Sequence, residues 1–136
     1  YDALSDGLRA SIENRRATNI YDYLRNPCKR EVEARPNAPR WSHPMVRTHP
    51  LTGRKALYVN SGHTMHCKGW TEQESRSLLT YLFEHQIRPE FTCRFCWGQG
   101  SLALWDNRCA QQNPVNDYQG VRRIMHRVTL SGDEPC

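Results

Sequence analysis

No apolar run in the 136-residue chain approaches the ~18 residues that cross a bilayer, and no charged-then-apolar leader precedes the first helical pattern. The chain begins at Tyr1 rather than methionine. It therefore reads as soluble and cytoplasmic, without a membrane partner, and as a piece of something longer. Glycine is sparse and scattered: Gly53, Gly62 and Gly69 stand alone, which excludes a phosphate-cradling loop. No nucleophile-elbow pattern joins serine to histidine and acid, so acyl transfer has no support. Internal repeats and low-complexity tracts are also missing. No His-x-Asp or His-x-Glu occurs anywhere.

The charge is present but diffuse. Nineteen Lys and Arg against fourteen Asp and Glu give +5, spread in pairs such as Arg15-Arg16, Lys29-Arg30 and Arg122-Arg123. Scattered basic residues make a solvated surface, and no nucleic-acid motif accompanies them, so no nucleic-acid partner is expected. Six cysteines could form three bridges, yet they are unevenly spaced and no secretory leader is visible, which predicts reduced thiols. His63, His66 and Cys67 followed by Cys93 and Cys96 resemble zinc ligands in type. Alternation along a strand would turn Cys93 and Cys96 to opposite faces, against that reading.

A chain of this length fits one domain burying roughly 65 to 70% of its unfolded surface. Leu4, Leu8, Ile12, Ile20 and Leu24 recur at multiples of four and predict one amphipathic helix over residues 2 to 25. Asn26-Pro27 ends it. The stretch through Pro36, Pro39 and Pro44 can sustain neither a helix nor a central strand. From Met45 the pattern changes to a hairpin, with 46–49 and 56–60 flanking the turn-rich Pro50–Lys55. Thr71 with Glu74 forms a capping box opening a helix through Leu78, Leu79, Leu82 and Phe83, which should stop before Pro89. Residues 91–97, 101–105 and 123–130 read as strands, with a long loop from Asp106 to Gly120. Two helices on an antiparallel sheet give an α+β class and fit half of a jelly roll.

Arg123 and Arg127, four apart in a strand-like run, would leave the same face ~13 Å apart. Met125 and Thr129 share that face, and Ile124, Val128 and Leu130 surround His126 on the other, so both faces should be covered. Buried arginines need anions, because an unpaired buried charge is costly. Those anions are either protein carboxylates such as Asp106 or Asp117, or an acidic ligand gripped by the planar fork.

The block comprising Trp105-Asp106-Asn107-Arg108, Gln112, Arg123 and Arg127 within Arg-Arg-Ile-Met-His-Arg-Val-Thr-Leu resembles the C-terminal end of the TauD/TfdA family. These are iron(II)- and 2-oxoglutarate-dependent oxygenases. The resemblance implies the C-terminal part of a double-stranded β-helix with flanking helices: residues 1–26 as helix, 27–44 as connecting loop and 45–135 as a strand-rich barrel half. It implies that Arg123 holds the distal carboxylate of 2-oxoglutarate and that Arg127 holds the acidic group of a small sulfonate or carboxylate substrate. Both keep the family's spacing from the second iron-binding histidine, whose place Gln112 takes. A carboxamide oxygen is a weaker donor to iron(II) than imidazole. With the His-x-Asp pair absent too, the chain offers none of the three family ligands, so either another segment or partner supplies them or the chain is a non-catalytic remnant acting as a binding module. Half a barrel leaves strand edges open, which favours self-association.

Overall fold

The computed structural model describes residues 1–21, 37–115 and 117–135. The helical stripe breaks early. Helix α1 spans only Asp6–Ile12, capped by Ser5, whose side chain accepts from the Leu8 amide at 3.4 Å. After Asn14 the chain enters strand β1, Arg16–Ile20, so the predicted helix over residues 2 to 25 is corrected; Leu24 lies outside the described residues. The physical reason is pairing. β1 is the centre of a three-stranded antiparallel sheet, between β2 (Arg40–Pro44) and β5 (Thr64–Cys67). Ladder hydrogen bonds on both sides outweigh a weak helical propensity that Thr18 and Ile20 already reduce. Leu4, Ile12 and Ile20 are buried nonetheless, the first two from the helical side and Ile20 from the strand.

Strand β2 runs along β1 in the register Arg16↔Pro44 through Ile20↔Arg40. Pro44 cannot donate to a ladder, and it sits on an edge strand where none is needed. On the other side Ala17↔Cys67 and Thr18↔His66 give way to Asn19↔Thr64, a bulge in which Met65 is the extra residue of β5. The bulge lets Thr64 and Cys67, three apart, both be buried.

Strands β3 (Val46–Thr48) and β4 (Lys55–Leu57) form the antiparallel hairpin expected from the sequence, in the register Val46↔Leu57 to Thr48↔Lys55. Gly53 takes φ 68 in its turn, a conformation in which a side chain would be strained. Met45 links the two sheets: its amide donates to the Arg15 carbonyl and its carbonyl accepts from the Tyr58 amide.

Helix α2, Glu72–Gln86, is also as read. The capping box is complete, with Glu74 N–H to Thr71 Oγ1 at 3.2 Å and Thr71 N–H to Glu74 Oε2 at 2.7 Å. The Thr71 amide, and the Thr71 hydroxyl that also donates to Glu74 Oε2 at 2.8 Å, hold the Glu74 carboxyl below its ordinary pKa. Leu79, Leu82 and Phe83 turn inward against Ile12, Ala17, Met45, Val46, Val59 and Cys67. Ser75, fully buried, ties the helix to β5 by accepting from Cys67 N–H at 2.9 Å and donating to Thr71 O at 2.8 Å.

Beyond the short 3₁₀ turn at Pro89–Phe91 the described residues contain no helix or strand. The strands read at 91–97, 101–105 and 123–130 are therefore corrected: each is chain without a ladder. Alternating sequence supplies a face, but a strand also needs an edge to pair with, and none is offered to these segments. Their apolar residues stay in solvent, with Leu102, Leu104, Val128 and Leu130 all more than 80% exposed. No described helix is long and apolar enough to cross a membrane.

Candidate functional site

The Trp105–Arg108 turn is locked to the hairpin by one carboxylate. Asp106 accepts from the Arg108 backbone amide at 2.8 Å and from its Nε and Nη2 at 2.9 and 2.6 Å. On its other side it faces His49 Nε2 at 3.1 Å. His49 follows β3, and its Nδ1 accepts from the Leu51 and Thr52 amides, each at 3.3 Å. An Nδ1 that accepts leaves the proton on Nε2, so His49 donates to Asp106. These bonds, Arg108 first, hold the Asp106 carboxyl well below the usual carboxylate range, and Asp106 in turn raises Arg108. The turn reading holds, and Trp105 Nε1 donates to Asn107 Oδ1 at 2.8 Å within it. The partner across the fold, His49, carried no sequence signal; only the hairpin turn brings it opposite Asp106.

Gln111 makes the second tie. Its Nε2 donates to the Val59 carbonyl at 2.8 Å, its Oε1 accepts from Asn60 at 3.2 Å, and it meets Gln86 at the end of α2. The loop is thereby held against both hairpin and helix, and Gln112, next in the chain, is exposed.

Arg123 is half-buried, its guanidinium 4.8 Å above the Tyr118 ring. Arg127 is exposed, as are Ile124, Met125, Val128 and Leu130, so the two covered faces expected of this run are corrected: without neighbouring strands there is nothing to cover them. No hydrogen bond or ion pair joins Gln112, Arg123 and Arg127 among the described residues. Neither arginine takes the protein carboxylates considered for it, because Asp106 is held by Arg108 and Asp117 pairs with Arg94 at 2.6 Å.

His49, Asp106 and Cys109 place ligand-type atoms within 4.8 Å of one another, the metal-capable grouping among the described residues. It supplies one imidazole, one carboxylate and one thiol. The imidazole presents a protonated nitrogen and the carboxylate is occupied by a guanidinium, so the trio is a clamp between hairpin and loop. The histidines and cysteines with zinc-like spacing do not converge: His63 Nδ1 faces the Ile20 carbonyl at 3.2 Å, His66 Nδ1 faces the Cys67 carbonyl at 2.9 Å, Cys67 is buried, and Cys93 and Cys96 are exposed.

Comparison with known proteins gives the family. The model for the taurine catabolism dioxygenase TauD, TfdA family matches residues 1–129. An alpha-ketoglutarate-dependent dioxygenase of Penicillium expansum, cnsM, is 37% identical over 99% of this chain and 39% of its own length. The alpha-ketoglutarate-dependent 2,4-dichlorophenoxyacetate dioxygenase of Cupriavidus pinatubonensis is 34% identical over 98% of this chain and 47% of its own. A solved taurine dioxygenase from Burkholderia xenovorans superposes with a TM-score of 0.67 at 39% identity, covering 80% of this chain and 34% of that one. The protein AAD-2, solved with Mn(II) and N-oxalylglycine, gives 0.62 at 31% identity, covering 72% and 40%. This chain thus spans less than half the length of each of these relatives.

Proposed function

Because the chain belongs to the TauD, TfdA family, we propose that it is the substrate-side, C-terminal portion of a 2-oxoglutarate-dependent oxygenase acting on a small sulfonate or carboxylate, incomplete as a catalyst by itself. In this reading residues 1–136 are one partial domain of a double-stranded β-helix. Arg123 binds the distal carboxylate of 2-oxoglutarate and Arg127 the acidic group of the substrate. The observation that carries it is the spacing of Gln112, Arg123 and Arg127 behind the Trp105–Arg108 turn, within a family match that runs through both arginines. Arginine's planar fork suits such anions, and its charge persists at every physiological pH.

Iron(II), the metal the family implies, needs two imidazoles and a carboxylate around an open position. The described residues do not fit it. His49, Asp106 and Cys109 lack the second imidazole, and Arg108 already fills the carboxylate; Gln112 offers only a carboxamide. The chain's own contribution is therefore recognition: Arg123 and Arg127 bind two anions along one segment.

Calorimetric titration with 2-oxoglutarate tests this. Binding should be measurable for the chain and weaken at least about tenfold in Arg123→Met, the loss of a charge-assisted pair. Equal affinity in the two proteins would refute the role of Arg123. In an anaerobic titration with iron(II) and 2-oxoglutarate, no visible charge-transfer band should develop; a band would show that the chain does assemble a metal centre.

A second reading, a non-catalytic interaction module, is favoured by the exposed Leu102, Leu104, Val128 and Leu130 on unpaired chain. Such segments pair with a second copy. Sedimentation should then show concentration-dependent dimers, and a monomer at all concentrations would remove this reading.

A further inference from the structure

Arg47, in the middle of β3, is 5% exposed. Its guanidinium lies over the Tyr58 ring, 5.2 Å from the centroid, and its N–H donors need acceptors of their own. One of these, Nη2, donates to the Asp133 backbone carbonyl at 3.3 Å. Another, Nε, is buried and makes no hydrogen bond. No ion pair among the described residues includes Arg47. Among the described residues this buried guanidinium therefore has one neutral acceptor and no ion-pair partner, a costly state for a buried charge.

Nε and Nη2 point from the same edge of the guanidinium, the edge that grips two coplanar oxygens of a carboxylate in parallel. Here one carbonyl oxygen half-fills that edge. Among the described residues, this bond from Arg47 is the hydrogen bond made by 131–135. His43 stands edge-on to Tyr58, with ring centroids 6.0 Å apart. Its pKa is lowered, by burial first and then by the charges of Arg16 and Arg47, while Glu134 pulls the other way. Positive charge from Arg16 and Arg47 thus surrounds His43, and the acidic segment carrying Asp133 and Glu134 approaches the same place.

We propose that Arg47 anchors an anion subsite for a ligand carboxylate, over Tyr58 and beside His43, which residues 131–135 cover and which the ligand opens by displacing the Asp133 carbonyl. The exchange replaces one neutral hydrogen bond to a buried cation by a charge-assisted pair. It is independent of Arg123 and Arg127.

The test is a titration of the metal-free chain with succinate, following the Arg47 Nε–H resonance in arginine-labelled protein together with the backbone amides of residues 131–135. The Nε–H signal should shift saturably, and the tail amides should move with the same midpoint. Arg47→Lys, which keeps the charge but loses the fork, should weaken binding about tenfold or more. Assignment through the Tyr58 ring contact keeps the measurement usable if that variant does not fold. Arg123→Met should leave the midpoint unchanged, separating this subsite from the proposed 2-oxoglutarate anchor. An Nε–H resonance that does not respond, or tail amides that move without it, would overturn the proposal.

Discussion

Replacing Ser75 by alanine should destabilise the fold through one amide. Lys68 N–H donates to Arg16 O, so the ladder bonds of β5 to β1 are made at that residue and the neighbouring Cys67 N–H points the other way, toward the open edge of the sheet. Ser75 Oγ receives it at 2.9 Å at a position with no solvent exposure. Alanine leaves that buried donor unsatisfied, which costs about 1–3 kcal/mol. The better helix propensity of alanine returns about 0.5 kcal/mol. The net loss should be about 0.5–2.5 kcal/mol, read as a lower urea midpoint at unchanged slope. Hydrogen exchange gives the local signature: the Cys67 amide should lose protection more than its neighbours. An unchanged midpoint with Cys67 still protected would refute the reasoning, since it would mean another acceptor or water serves that amide.

Leu82→Ala, at a site with no exposure among Ile12, Met45 and Val59, should cost about 2–5 kcal/mol in the same urea assay. Asp106→Ala removes the acceptor shared by Arg108 and His49, so amides 105–109 should exchange faster while the protection of α2 is retained; equal exchange in both proteins would show that Gln111 alone holds the loop. His85 is buried between Tyr81 and Phe91 with Nδ1 unsatisfied, and burial, with Arg88 adding to it, lowers its pKa. Its neutral form is the folded one, so its contribution is complete above the unfolded value of 6.5 and is lost as pH falls below it through the folded pKa. His85→Phe should flatten that part of the stability-pH curve, and an unaltered acid limb would place the titration elsewhere, His43 being the other histidine lowered by burial.

Elements whose signals are local were legible in the sequence. Thr71 and Glu74 cap α2 within four residues of chain, and the hairpin is set by two short runs around a turn, so each needs nothing distant to be recognised. The family was legible as well, because the Trp105–Arg108 turn and the arginines behind it are a pattern of spacing. What depended on partners was not. Arg16–Ile20 carries a helical period yet becomes a central strand once β2 and β5 flank it, and 123–130 carries a strand period yet remains unpaired because no edge meets it. The same holds for the site. Asp106 was visible as a turn residue, but its bond to His49, 57 residues earlier, and the buried, half-satisfied Arg47 arise only when hairpin, loop and tail come together. Spacing along the chain determined which local elements and which family this sequence encodes; tertiary structure decided which strands exist and which charges are buried, because ladder bonds and desolvation are set by neighbours that one-dimensional order does not place.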